Sequence, residues 1–109
     1  MRLPLRLLEW GGNSGWWIIE TVESFNGQPC GGGMSNFYMW FSTSAFGGAN
    51  YSNTPVGAVT YVDEPGRPGV NDASLYFGLW EAGKNFGICA WYSARTSSFQ
   101  AVGDPFVAK

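Results

Sequence analysis

The chain has 109 residues, a formal net charge of −2 and no histidine. This length is typical of a single domain, residues 1–109, with its own hydrophobic core. Its six Lys and Arg residues are scattered, which argues against a nucleic-acid interface, and the lack of imidazole excludes Ser-His-Asp catalysis and histidine-ligated zinc within one chain.

The opening residues 1–9 alternate leucine with Arg and Pro, which predicts a half-buried edge strand. Charged residues interrupt this stretch and no small-residue cleavage site follows, so it does not have the form of a signal peptide. The sequence contains no apolar run of the ~18 residues that a membrane-spanning helix needs. We therefore expect a cytoplasmic protein that does not enter a membrane. Cys30 and Cys89 are expected to be reduced thiols, with a single disulfide as the alternative.

The middle of the chain has the pattern of strands separated by glycine-rich loops. Residues 16–22 are rich in Trp and β-branched side chains, which favours a buried strand, although a helix over residues 16–25 also fits the apolar spacing. Asn26-Gly27 is a strong turn signal. Further strands are predicted at residues 35–43 and 56–62, with loops or turns at residues 28–33, 45–55 and 63–69.

The strongest predicted hairpin lies between residues 73 and 93, where two apolar runs flank a glycine-containing loop at residues 81–85. Both faces of this ribbon would be apolar, whereas an antiparallel sheet usually shows one face to water. A last strand is predicted within residues 99–107. The fold class is expected to be mainly β, an antiparallel sandwich or small barrel of about seven strands, or α+β with one short helix near residues 16–25.

The second apolar face of this ribbon must be covered by something. A second copy of the protein is the favoured cover, which predicts a homo-oligomer, and an internal helix or a bound ligand are the alternatives. Tyr76, Trp80 and Tyr92 would share this face, with Asp72 and Arg95 near one end. Aromatic faces beside a few polar groups are typical of sugar and planar-ligand sites, so these five residues form the predicted ligand-binding or interface site.

Catalytic and metal chemistry has weaker support in the sequence, and no cofactor or metal is expected. The carboxylates form no pair that spacing alone would select for glycoside hydrolysis. Most of them are expected to be solvated turn residues or caps. Glu20 is the exception to this, because a carboxylate in a buried strand needs a partner such as Arg95 or a backbone donor. Cys30 lies in a glycine-rich loop that is more simply explained by turn geometry, and Cys89 is expected to pack in the core. The candidate carboxylates for a catalytic pair are Glu20, Glu23, Asp63, Glu64, Asp72, Glu81 and Asp104.

A calcium site is a further alternative, since Asp63, Glu64, Asn71 and Asp72 bracket one loop with oxygen ligands. No ordered ligand spacing supports it. These residues are more typical of solvated turns and helix or turn caps.

The segment from Trp10 to Trp16, with its Gly-Gly-Asn-Ser-Gly centre, resembles the glycine-rich opening loop of jacalin-type lectins, which are β-prism sugar binders. The similarity covers about seven residues, and no site residue is taken from it. The sequence as a whole favours a non-catalytic domain that self-associates and binds a sugar-like or planar ligand, or a protein partner, through an aromatic sheet face. A small carboxylate-dependent enzyme and a structural or accessory protein without a ligand are the alternatives.

Overall fold

A computed structural model describes residues 16–22, 25–27 and 37–109, the side chain of Tyr38 excepted. Within these residues the chain is α+β, with one mixed sheet of three strands and three α-helices. The expectation of a mainly β sandwich or barrel of seven strands is therefore wrong. The edge strand predicted within residues 1–9, the glycine loop at residues 28–33 and the thiol of Cys30 lie outside the described residues.

The sheet has the order β1-β2-β3, with β1 parallel to β2 and β2 antiparallel to β3. The strands predicted within residues 16–22, 56–62 and 99–107 are confirmed, and no helix forms over residues 16–22. The central strand β2 is buried along its whole length, as expected for a strand covered on both faces. The strands are β1 (Ile18–Glu20), β2 (Gly57–Tyr61) and β3 (Phe99–Gly103).

The predicted hairpin of residues 73–93 is a pair of helices, α2 (Ala73–Glu81) and α3 (Phe86–Ser93), preceded by the single turn α1 (Gly66–Gly69). Each long helix begins at a capping side chain. Asp72 Oδ1 accepts the N–H of Leu75 at 3.0 Å, and Asn85 Oδ1 accepts the N–H of Ile88 at 2.9 Å. Between the helices, Gly83 takes a φ of +86°, the left-handed conformation that commonly ends a helix.

The strand predicted at residues 35–43 is also wrong, because the chain forms a 3₁₀ helix at Phe37–Phe41 and another 3₁₀ turn at Ala45–Gly47. Phe46 lies in the left-handed region with a φ of 54°, which breaks any extended path through this segment. Its ring is buried and meets the Trp17 ring edge-on at 5.0 Å. Burial of large aromatic rings against the sheet thus decides this conformation.

Two hydrophobic clusters cover the two faces of the sheet. On one face, α2 and α3 pack on the strands through a cluster formed by Ile18, Val59, Tyr76, Trp80, Phe86, Cys89 and Ala90. On the other face, the 3₁₀ segments contribute to a cluster formed by Trp40, Ala45, Phe46 and Ala58, against which Trp17 and Ile19 pack. The apolar ribbon of residues 73–93 is therefore covered in part by the sheet of its own chain.

No helix among the described residues is both long enough and apolar enough to cross a membrane.

Candidate functional site

An open apolar groove of about 470 Å³ lies between α3 and β3. Its size falls within the range of ~300–1,000 Å³ usual for small-molecule sites. Most of its lining atoms belong to apolar or small side chains. The lining residues are Phe86, Gly87, Ala90, Trp91, Ala94, Thr96, Ser97, Phe99, Ala101, Gly103 and Pro105.

Small residues on α3 create the space in this groove. Gly87, Ala90 and Ala94 recur at helical spacing on the side of α3 that borders β3, and each leaves little side-chain volume there. The ring of Phe86 lies against two paired glycines, Gly57 and Gly103. A Cβ atom added at Gly57 would lie 2.6 Å from that ring. The glycine pair therefore allows Phe86 to lie close to the sheet at one end of the groove.

Trp91 supplies the aromatic wall of the groove and is 78% exposed. It lies on the outward side of α3 with Ile88 and Tyr92, which are also exposed, at spacings of three and four residues. A Trp side chain that only packs in the core would be buried, whereas Trp91 is exposed beside an apolar cavity. Exposed apolar patches of this kind commonly mark interaction sites. Trp91 is thus the principal candidate binding residue.

The polar groups of the groove are few and lie at one end. Thr96 and Ser97 form the turn that precedes β3, and the Thr96 hydroxyl lies 3.3 Å from the Ser98 hydroxyl. Hydroxyl groups at the end of an apolar groove can orient a ligand by hydrogen bonding.

The five residues predicted as one aromatic face do not come together as such. Tyr76 and Trp80 are core residues, with 0% and 4% of their surface exposed. Tyr92 is 66% exposed on α3, outside the groove lining. Asp72 caps α2 and forms an exposed ion pair with Arg95 at 3.2 Å. The shared face required a β-hairpin, and the helical period of α2 and α3 separates these side chains instead.

A second polar cluster lies where β1 and β2 end, beneath the start of α2. Tyr61 donates its hydroxyl hydrogen to Asn71 Oδ1 at 3.1 Å and accepts the backbone N–H of Asn71 at 2.7 Å. Nearby, the Tyr76 hydroxyl donates to the carbonyl oxygen of Ile19 at 3.0 Å. Burial raises the pKa of both tyrosines, so each keeps its proton and acts as a donor.

Glu20 belongs to this cluster, and the partner predicted for it is absent among the described residues. Its Oε2 atom is buried and has no hydrogen-bond partner there, and the same is true of the amide nitrogen of Asn71. Arg95 pairs with Asp72 instead. Burial raises the pKa of the Glu20 carboxyl, the nearby Asn71 amide lowers it in part, and the charge of Asp72 raises it further. These groups indicate a structural cluster with one poorly solvated carboxyl group.

The remaining candidate chemistry finds little support in the described residues. Cys89 is buried as a free thiol, its Sγ lies 3.8 Å from the carbonyl oxygen of Lys84, and burial raises its pKa, so it is a poor nucleophile. No group of three or more Asp, Glu or Cys side chains within residues 16–22, 25–27 and 37–109 is placed to hold a metal ion. The proposed calcium loop therefore gains no support.

The sequence reasoning missed Trp91 and the small residues beside it. If residues 86–92 formed a strand, Trp91 would share a face with Cys89, which is expected to pack in the core. Read as a helix that begins at the Asn85 cap, the same residues place Phe86, Cys89 and Ala90 inside and Trp91 outside. The signal that could have identified the groove was this cap followed by a Gly and Ala series at helical spacing.

No family model, no curated protein and no solved structure matches this chain.

Proposed function

We propose that this chain is a non-catalytic binding domain whose groove between α3 and β3 takes a flat, largely apolar ligand. The observation that carries the proposal is the exposed indole of Trp91 beside an open apolar cavity of about 470 Å³. An aromatic wall of this kind binds flat apolar surfaces through dispersion and burial of surface area. A domain with only a structural role would be expected to fill this face with its own side chains.

The chemistry of the groove favours a planar apolar ligand over a sugar. A sugar presents many hydroxyl groups and requires several polar partners, whereas Thr96 and Ser97 supply the side-chain hydroxyls of this lining. Among the described residues, no carboxyl side chain lines the groove. The proposal is therefore binding without catalysis. We also propose a cytoplasmic location, which the free buried thiol of Cys89 supports because disulfides are typical of oxidising compartments.

Titration with 1-anilinonaphthalene-8-sulfonate, a flat aromatic probe that fluoresces in apolar surroundings, tests this proposal. We expect a saturable increase in fluorescence with the wild-type protein. Trp91→Ala should weaken probe binding about tenfold, which corresponds to ~1.4 kcal/mol. Loss of one aromatic contact has an effect of this order.

The matched control is Tyr51→Asn, which removes an aromatic side chain that is 58% exposed in a loop outside the groove. Tyr51 has a φ of 65°, a conformation that Asn tolerates well, so this variant should fold normally. It should bind the probe as the wild type does. Equal loss of binding in both variants, or no loss in Trp91→Ala, would contradict the groove as the binding site.

A carboxylate-dependent enzyme is the second candidate function, and one observation favours it. Glu20 and Asp72 are close enough for their charges to interact, and the pKa of Glu20 is raised, as general acids require. However, Glu20 Oε2 has almost no solvent contact. A substrate must reach the carboxyl oxygen that donates the proton, so this cluster supports catalysis less well than the groove supports binding.

A further inference from the structure

Hydrogen-bonded and non-hydrogen-bonded residue pairs alternate between β2 and β3, and this alternation determines which backbone groups of β3 point away from β2. The N–H of Val62 donates to the carbonyl oxygen of Ser98 at 2.8 Å, in line with the antiparallel register of the two strands. Hydrogen-bonded pairs alternate in such a ladder, so Gln100 and Val102 also point their backbone groups toward β2. The backbone groups of Phe99, Ala101 and Gly103 therefore point outward, on the edge opposite β2.

Within residues 16–22, 25–27 and 37–109, this edge lacks the features that usually prevent pairing with another strand. Proteins protect exposed edges with Lys, Pro, inward-pointing charges or a covering segment. The sequence Phe-Gln-Ala-Val-Gly of β3 contains no charge and no Pro, and Ala101 at its centre is exposed. In the described part of the chain, no backbone group outside the sheet bonds to the N–H or C=O of Ala101. The outward N–H of Phe99 bonds to the carbonyl oxygen of Thr96 at 3.3 Å, so the open hydrogen-bonding groups of this edge are centred on Ala101.

We propose that β3 pairs with β3 of a second copy of this chain in antiparallel fashion, around a two-fold axis at Ala101. The outward N–H and C=O of Ala101 would exchange hydrogen bonds with the same groups of the partner's Ala101. Three strands from each copy would then form one continuous sheet. A partner of this kind removes the unprotected edge by symmetry, with no other protein required.

The side chains of β3 are compatible with this register. Phe99 lies opposite the partner's Gly103, so the largest side chain on this face of the strand meets a residue that has none. Ala101 lies opposite the partner's Ala101, and two methyl groups fit between paired strands without a clash. If the partner's β3 were shifted by one residue, the outward backbone groups of one strand would lie opposite inward-pointing groups of the other. These hydrogen bonds would then be lost.

The same pairing would place the two grooves on one side of the joined sheet. α3 and the face of β3 line each groove. A two-fold axis perpendicular to the sheet keeps the helices of both copies on the same side. Each groove would therefore keep its own Trp91 and have the second copy beside it. The β3 pairing and the ligand proposal can fail independently. Molar mass tests the pairing, and probe binding tests the groove.

Opposite charges placed at Ala101 provide the sharpest test. We expect wild-type protein to have twice the mass of one chain when measured by light scattering after size-exclusion chromatography. Ala101→Lys and Ala101→Glu should each have the mass of one chain, because like charges would lie directly opposite at the axis. An equimolar mixture of the two variants should recover the doubled mass.

Ala82→Lys is the matched control, since it adds the same charge at an exposed position at the end of α2 and should keep the doubled mass. Circular dichroism checks that each variant is folded, and hydrogen exchange supplies a second readout. The N–H of Ala101 should exchange slowly in the wild type, and the N–H of the substituted residue should exchange quickly in the separate variants. Any of three results would overturn the proposal. The wild type could have the mass of one chain, Ala101→Lys by itself could have the doubled mass, or the mixture of the two variants could fail to recover the doubled mass.

Discussion

The carboxyl group of Glu20 lies at the end of β1, where burial raises its pKa and Oε2 has no hydrogen-bond partner among the described residues. The amide nitrogen of Asn71 is nearby and likewise lacks an acceptor there. A buried donor and a buried acceptor left unpaired destabilise the folded state by ~1–3 kcal/mol for each group. This cluster is therefore a place where a single substitution should increase stability.

Glu20→Gln should raise the free energy of unfolding by about 1 kcal/mol at about pH 7, because it removes the buried negative charge and keeps an oxygen that can accept from Asn71. The pKa of Glu20 is raised in the folded state, so the folded protein binds this proton more tightly than the unfolded chain does. Stability from this group is therefore highest below the ordinary carboxyl pKa and decreases as pH rises through the folded-state value.

Urea unfolding of wild type and Glu20→Gln at about pH 7 and about pH 4 measures this effect. The difference between the two proteins should be large at the higher pH and nearly vanish at the lower, where Glu20 is neutral. Glu64→Gln, at an exposed position, is the control and should change little at either pH. A difference that is independent of pH would show that burial of this charge is not the cause.

At the scale of elements, the caps decided between helix and strand for residues 73–93. Asp72 and Asn85 each accept a backbone N–H three residues later, and these bonds begin α2 and α3. The hairpin prediction for these residues rested on two apolar runs around a glycine-containing loop and gave no weight to the two caps. Propensity is a weak signal, and burial of Tyr76, Trp80 and Phe86 against the sheet outweighed it.

Asn85→Ala should lower the free energy of unfolding by about 1 kcal/mol, because the N–H of Ile88 loses its acceptor at the start of α3. Asn85→Asp keeps an oxygen at the same position and should leave stability nearly unchanged. Thermal or urea unfolding measures both variants. If the two variants were equally destabilised, the cap could not be the reason for the loss.

Strands that are flanked by clear turns were predictable at the same scale. Strand β2 and the last strand follow from short runs of β-branched and apolar residues, and the turn at Asn26-Gly27 follows from its dipeptide. The 3₁₀ segment at Phe37–Phe41 was not predictable from alternation, because its aromatic residues alternate with other apolar residues in either conformation. Tertiary packing of Trp40 and Phe46 determined that segment.

At the scale of the whole molecule, the sequence correctly indicated an excess of aromatic surface but placed it on the wrong element. Sheet and helices of one chain cover the inner side of the ribbon, including Tyr76 and Trp80. Leu75 and Phe77 on α2 remain exposed, as does the outer side of α3, where Trp91 borders the groove. The candidate site could not be read from the sequence because a groove between α3 and β3 depends on where two distant segments pack.

The groove and the β3 edge lie on the same side of the molecule, and this placement connects the two proposals. A second copy paired along β3 would add surface beside each groove. Ala101 lies in the groove lining as well as at the proposed two-fold axis, so Ala101→Lys changes both and cannot separate them. Probe titration of wild-type protein diluted to the mass of one chain does separate them: binding should persist there if the groove functions alone and fail if the groove requires both copies.

The location of the bound probe is the most direct test of the binding groove. In ¹⁵N-resolved NMR spectra of the labelled protein titrated with 1-anilinonaphthalene-8-sulfonate, we expect the largest shift changes at the indole N–H of Trp91 and the backbone N–H groups of Ala90 and Ala101. Residues of the 3₁₀ turn Ala45–Gly47, on the opposite face of the sheet, should change little. Shift changes concentrated at that opposite face, with the Trp91 indole signal unmoved, would contradict the account.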